Sequence, residues 1–103
     1  MIAFACNLIR LDFIYNKYSL DFEMKDIIIK RLSGEELEKS GVFSWPVWEK
    51  EVSKFSWIYS QEEACYIVGG KATISPRDGH PVTVQAGDYV VFPAGMECVW
   101  EVH

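Results

Sequence analysis

From residue 24 onward, apolar and polar positions alternate in short runs punctuated by glycine and proline, the pattern of a chain built from strands. Asp26–Lys30 carries three consecutive isoleucines and reads as a short β-branched strand. Ser33, with Glu36 three residues on, makes a capping box, and Gly41 suits a C-terminal stop. That bracketing predicts one helix of about two turns. Trp45-Pro46-Val47-Trp48 then opens an extended segment, because Pro46 pushes Trp45 toward the β region. Phe55, Trp57 and Tyr59 alternate with Ser56, Ile58 and Ser60. Cys65–Val68 stops at Gly69-Gly70, Ala72–Ile74 runs into a turn at Pro76–Gly79, and Pro81–Val84 returns toward Gly87. Gly87-Asp88 is a turn signal leading into Tyr89–Phe92. Pro93 and Gly95 break that strand at a corner, and Cys98-Val99-Trp100 follows. Short strands at close spacing predict an all-β sandwich or barrel, with no solenoid repeat and no linker to a second domain.

Residues 1–23 follow a different pattern. Met1–Ile9 is apolar, but Asn7, Arg10 and Asp12 interrupt it well short of a membrane span. No positive residue precedes the apolar run and no small-residue cleavage site follows it, which argues against a secretory signal. Ile2, Ala5, Cys6, Ile9 and Phe13 fit a helical stripe, while Phe4, Leu8 and Leu11 fill much of the remaining surface, so a helix and a buried strand both stay open. Met24 offers an alternative start. The chain therefore divides into an N-terminal extension, 1–23, which is either not native or covers an edge, and a single domain, 24–103.

Composition narrows the function classes. A chain of 103 residues that is 50% hydrophobic, with four Trp, five Tyr and six Phe, suits one globular domain with an aromatic core. A net charge of −5 and no basic stripe argue against nucleic acid, and no membrane partner is expected. The three cysteines, Cys6, Cys65 and Cys98, show no metal-ribbon spacing. An odd count is poor disulfide arithmetic, so free thiols in a reducing cytoplasm are expected.

Two stretches carry a resemblance. Gly87, Pro93, Gly95 and Cys98 stand at the spacing of the second cupin motif, where a metal-binding His usually holds the last position. Glu63 and Gly70 resemble the end of the first cupin motif. Trp45–Val52, Glu63–Ile67 and Phe92–Gly95 resemble recurring phrases of the branch that includes the cupin domain of (S)-ureidoglycine aminohydrolase. The resemblance implies a cupin jelly-roll β-barrel with one short N-terminal helix and an N-terminal extension. It also implies one further strand beyond the one ending near Val102, whereas this sequence stops at His103, so an uncovered edge is expected to be closed by residues 1–23 or by a second subunit, most simply in a homodimer.

The departures from that family point toward function. Its metal sites combine two His, a Glu and a third His. The first pair falls here on Trp57 and Tyr59, or on Ser56 and Ile58, and the third on Cys98. Glu63 and Cys98 are left as the donors for any divalent transition metal, a hard oxygen beside a soft sulfur, so no metal cofactor is expected. His80 belongs to a hairpin tip, and His103 is the last residue. The preferred reading is a barrel that binds a small polar organic molecule, a sugar being one candidate, against Trp57, Tyr59, Glu63, Cys98 and Trp100. The alternatives are a metal-dependent enzyme of the ureidoglycine aminohydrolase type and a ligand-free oligomeric structural protein. In a metal-free enzyme Glu63 would be the general base and Tyr59 or Cys98 the proton donor.

Overall fold

Why the polypeptide forms two sheets follows from the turns that interrupt it. The computed structural model describes residues 1–8 and 26–103. Its strands are β1 (Ile2–Leu8), β2 (Ile28–Lys30), β3 (Val47–Lys50), β4 (Ser53–Ile58), β5 (Glu63–Gly69), β6 (Lys71–Pro76), β7 (Val82–Gln85), β8 (Tyr89–Phe92) and β9 (Glu97–Val102). Between β2 and β3 lies one helix, α1 (Gly34–Ser40), followed by a single 3-10 turn, Val42–Ser44. The capping box is complete: the Glu36 amide donates to Ser33 Oγ at 3.1 Å and the Ser33 amide donates to Glu36 Oε1 at 3.0 Å. Gly41, at φ 83°, ends the helix in the left-handed region that favours glycine.

One sheet has the order β2-β8-β5-β1-β3 and the other β4-β9-β6-β7, with every pairing antiparallel. They face each other across a core drawn from β1, β5 and β8 of the first sheet (Ile2, Cys65, Ile67, Val90 and Phe92) and β6, β7 and β9 of the second (Ala72, Ile74, Val84, Cys98, Trp100 and Val102). Among the described residues, no helix is long and apolar enough to cross a membrane.

Residues 2–8 are a strand, which decides between the two N-terminal expectations. β1 lies between β5 and β3 and is bonded to both. It is an interior member of the larger sheet. The division at 23/24, Met24, Ile9, Leu11 and Phe13 lie outside the described residues. Gly70 shows how closely the first residues are held. A Cβ on it would sit 2.2 Å from the Met1 carbonyl oxygen, and its φ of 86° is itself a glycine conformation.

The expectation of three free thiols is overturned. Cys6 and Cys65 form a disulfide with a Cα–Cα separation of 4.1 Å, and only Cys98 is free and buried. The two are separated by 59 residues in sequence, yet stand directly opposite each other in the β1–β5 ladder. Cysteine spacing cannot reveal such a pair; register does. The expectation of a reducing cytoplasm loses this premise.

Candidate ligand site at the mouth of the barrel

Four of the five residues expected to wall a ligand meet on the inner faces of the sheets, but two of those are occupied by one another. Trp100 is 3% exposed and Tyr59 5%. The Trp100 indole N–H donates to Tyr59 Oη at 3.2 Å. Tyr59 stacks on Phe92 with centroids 4.5 Å apart, and Trp100 contacts Phe4, Phe55 and Phe92 at 5.7, 6.1 and 5.7 Å. These rings pack the space between the sheets. Trp57 departs from the expected inward phase: it is 52% exposed near the end of edge strand β4, its ring centroid 6.5 Å from that of Tyr59 and the planes at 69°.

The electrostatics of these groups follow from burial. Loss of solvent holds the Tyr59 hydroxyl above its ordinary range, and nearby Cys98 and Glu63 add to the shift. Burial pushes the Cys98 thiol up to about 11, against a smaller opposing contribution from Trp100. The Cys98 Sγ lies 3.7 Å from the Trp57 carbonyl oxygen as a weak donor. Glu63, half-buried at the start of β5, has its pKa raised by desolvation. Tyr59 and Cys98 are therefore protonated at neutral pH.

This donor set does not fit a metal at the cupin position. The indole of Trp57 offers no lone pair, and the Tyr59 phenol is held neutral within a ring stack. Cys98 would have to lose a proton that burial makes it keep. Glu63 alone remains, and one carboxylate does not hold a transition metal.

Open space lies at one end of the barrel. The described residues leave a cleft of about 650 Å³ there. Its floor includes Ile27, Val82 and Met96, and its rim carries Asp26, Arg77 and His80. The chain builds it from two turns. The β6–β7 hairpin supplies Arg77 and His80, and the Pro93–Gly95 corner between β8 and β9 supplies backbone. The Arg77 amide donates to the Glu97 carbonyl at 2.9 Å, and a 2.6 Å ion pair between Arg77 Nη1 and Glu97 Oε2 also joins the two turns. The Tyr59 amide donates to the Met96 carbonyl at 2.9 Å, fixing the corner over the aromatic stack.

Sequence reasoning pointed at the interior and missed the rim. His80 was expected at a hairpin tip, where it is; the missing step was that this tip and the Pro93 corner meet at the same barrel end. Glu62, 2% exposed, was also missed. It precedes β5, so strand alternation does not govern it. A second, shallower groove of about 330 Å³ runs past Trp57, Ile58, Ser75 and Cys98.

Two antiparallel sheets closed around an apolar core, with a fixed Gly-Asp to Pro-x-Gly corner, define a small jelly-roll barrel of the cupin class. The comparisons with known proteins agree. Residues 37–103 match the EutQ-like cupin domain model, and the chain belongs to that family. It is also similar to the crystal structure of a DUF861 family protein from Thermotoga maritima, 42% identical, covering 75% of this chain and 88% of that one, with a TM-score of 0.73. No curated protein matches it. The narrower likeness to the ureidoglycine aminohydrolase branch rests on the sequence phrases alone.

Proposed function

We propose that this cupin binds a small polar organic molecule, a sugar or related polyol among the candidates, at the mouth of its barrel. The observation that carries the reading is the cleft itself. A concave space of about 650 Å³ combines an apolar floor at Ile27 and Met96 with hydrogen-bonding groups of both charges on its rim. Arg77 offers several donors in a fixed plane, held by Glu97, and Asp26 and Asp78 offer acceptors. Tyr59, whose amide is bonded to the Met96 carbonyl, and Trp100 are buried and line no part of the cleft, while exposed Trp57 lines the second groove.

The enzyme reading is less favoured because the residues at the family's imidazole positions are Trp57, Tyr59 and Cys98. Assembly as a homodimer belongs to the same proposal. Edge strand β3 carries exposed Val47 and Trp48, an apolar edge of the sort that pairs with another chain.

Thermal-shift and calorimetric titration of a panel of sugars, polyols and small hydroxy acids tests the binding reading. A compound that raises Tm in the wild type and loses the effect in Arg77→Ala and in Met96→Ala, with both variants folded, is the expected result. A panel with no binder, or a binder indifferent to both substitutions, removes the cleft as the site.

A further inference from the structure

The disulfide and Glu63 occupy one place in the fold. Cys6 and Cys65 are directly opposed in the β1–β5 ladder, and Glu63 precedes Cys65 by two residues, which puts it on the same inward face of β5. One carboxylate oxygen of Glu63 and the two sulfurs all lie within 4.8 Å of one another. Cys65 is 1% exposed, whereas Cys6 and Glu63 are only partly buried, so the group opens toward solvent on one side. None of these positions corresponds to an imidazole of the cupin motifs, and Cys6 belongs to a strand outside both.

We propose that Cys6, Cys65 and Glu63 form a redox-gated site for a divalent transition metal of the zinc class, closed while the disulfide is present and open when it is reduced. Two thiolates and a carboxylate are an accepted zinc donor set, with bonds of about 2.3 Å to sulfur and about 2.0–2.2 Å to oxygen. Donors around such an ion stand about 3–4 Å apart by those bond lengths, which the present cluster reaches by separating its two sulfurs. The Cys6 and Cys65 Cα atoms stand 4.1 Å apart in the ladder, so the sulfurs separate by side-chain rotation. Three protein ligands leave a fourth position open to water or to a ligand.

A dithiol reductant gives two electrons and two protons to the Cys6–Cys65 bond, yielding two protein thiols and the reductant's own disulfide. The accessible point of attack is the sulfur of Cys6. Each thiol then loses one proton as the metal ion loads, and Glu63 binds as the carboxylate. Exchange with an oxidised dithiol, which takes two electrons and two protons and leaves as its dithiol, re-forms the Cys6–Cys65 bond, removes both sulfur donors and releases the ion.

Cobalt(II) is the probe, because sulfur-to-cobalt charge transfer reports thiolate ligation directly. The full chain, with Cys98→Ala introduced to remove the third sulfur, is titrated anaerobically in its reduced and oxidised forms. The expected result is a charge-transfer band saturating at one cobalt per chain in the reduced form only. That band disappears in Cys6→Ser and Cys65→Ser and weakens in Glu63→Gln. The redox dependence is read on one protein, so it stands even where a cysteine variant fails to fold. A reduced, folded chain with no band overturns the proposal. So does a band that survives Cys65→Ser, or one unchanged in Glu63→Gln. Loss of near-UV circular dichroism on reduction, unrestored by cobalt, also overturns it, since the bond would then be a structural staple.

Discussion

Cys98 illustrates how a side chain that looks reactive in sequence becomes inert by placement. It stands where the family usually has a metal-binding imidazole, yet it is 4% exposed and its thiol is pushed up to about 11 by burial. The sign of the resulting pH dependence is fixed. A thiol with an ordinary value of 9.0 in the unfolded chain and a raised one in the folded chain favours folding while both forms are protonated. That contribution is complete below pH 9 and is lost as pH rises toward 11. Tyr59 is raised as well, mainly by burial, which Cys98→Ala leaves in place, and the part that Cys98 adds to it acts in the same direction. Urea unfolding at a series of alkaline pH values should show wild type losing stability faster than Cys98→Ala between pH 9 and 11. Parallel curves would mean that the thiol titrates normally.

Among the elements, the Gly87-Asp88 turn shows what was legible and what was not. The turn, the capped helix and the strands from β3 to β9 could be read because glycine, proline and capping residues act locally, within a few positions of where they stand. What the turn carries was not legible. Asp88, 6% exposed, accepts the Gln85 amide at 2.9 Å through Oδ2 and faces Arg31 Nε at 2.9 Å through Oδ1. Arg31 comes from the segment after β2, far away in sequence. The Cys6–Cys65 bond and the His80–Pro93 cleft escaped for the same reason: each joins elements whose adjacency is set by sheet order. Trp57 escaped for another. Alternation gives the face of a strand but not where along an edge the neighbouring sheet stops covering it. Replacing Asp88 by Ala takes the acceptor from the part-buried Gln85 amide, a loss of about 1 kcal/mol. The ion pair adds little, since the Arg31 side chain is 59% exposed. A lower urea midpoint in Asp88→Ala, with little change in Arg31→Ala, is expected; equal losses would assign the stabilisation to the pair instead.

For the whole molecule, the decisive element is the first strand. β1 is the bridge between β5 and β3, and without it β3 has no bonded neighbour among the described residues while β5 gains a bare edge. Ile2 is fully buried, and Phe4 stacks on Trp100 at 5.7 Å. Burying one such side chain is worth about 1.5–3 kcal/mol, against a total for a domain of about 5–15 kcal/mol. Deleting residues 1–23 should therefore collapse specific packing, seen as lost near-UV circular dichroism, rapid proteolysis and aggregation through the bared edge. Cys6→Ser separates the two causes, because it removes the disulfide and keeps the strand. It should stay folded with a reduced Tm, whereas the truncation should show no cooperative melt at all. If the chain starting at Met24 melts cooperatively at the wild-type temperature, the fold does not need its first strand. If Cys6→Ser fails as completely as the truncation, the covalent link and not the strand holds the larger sheet together.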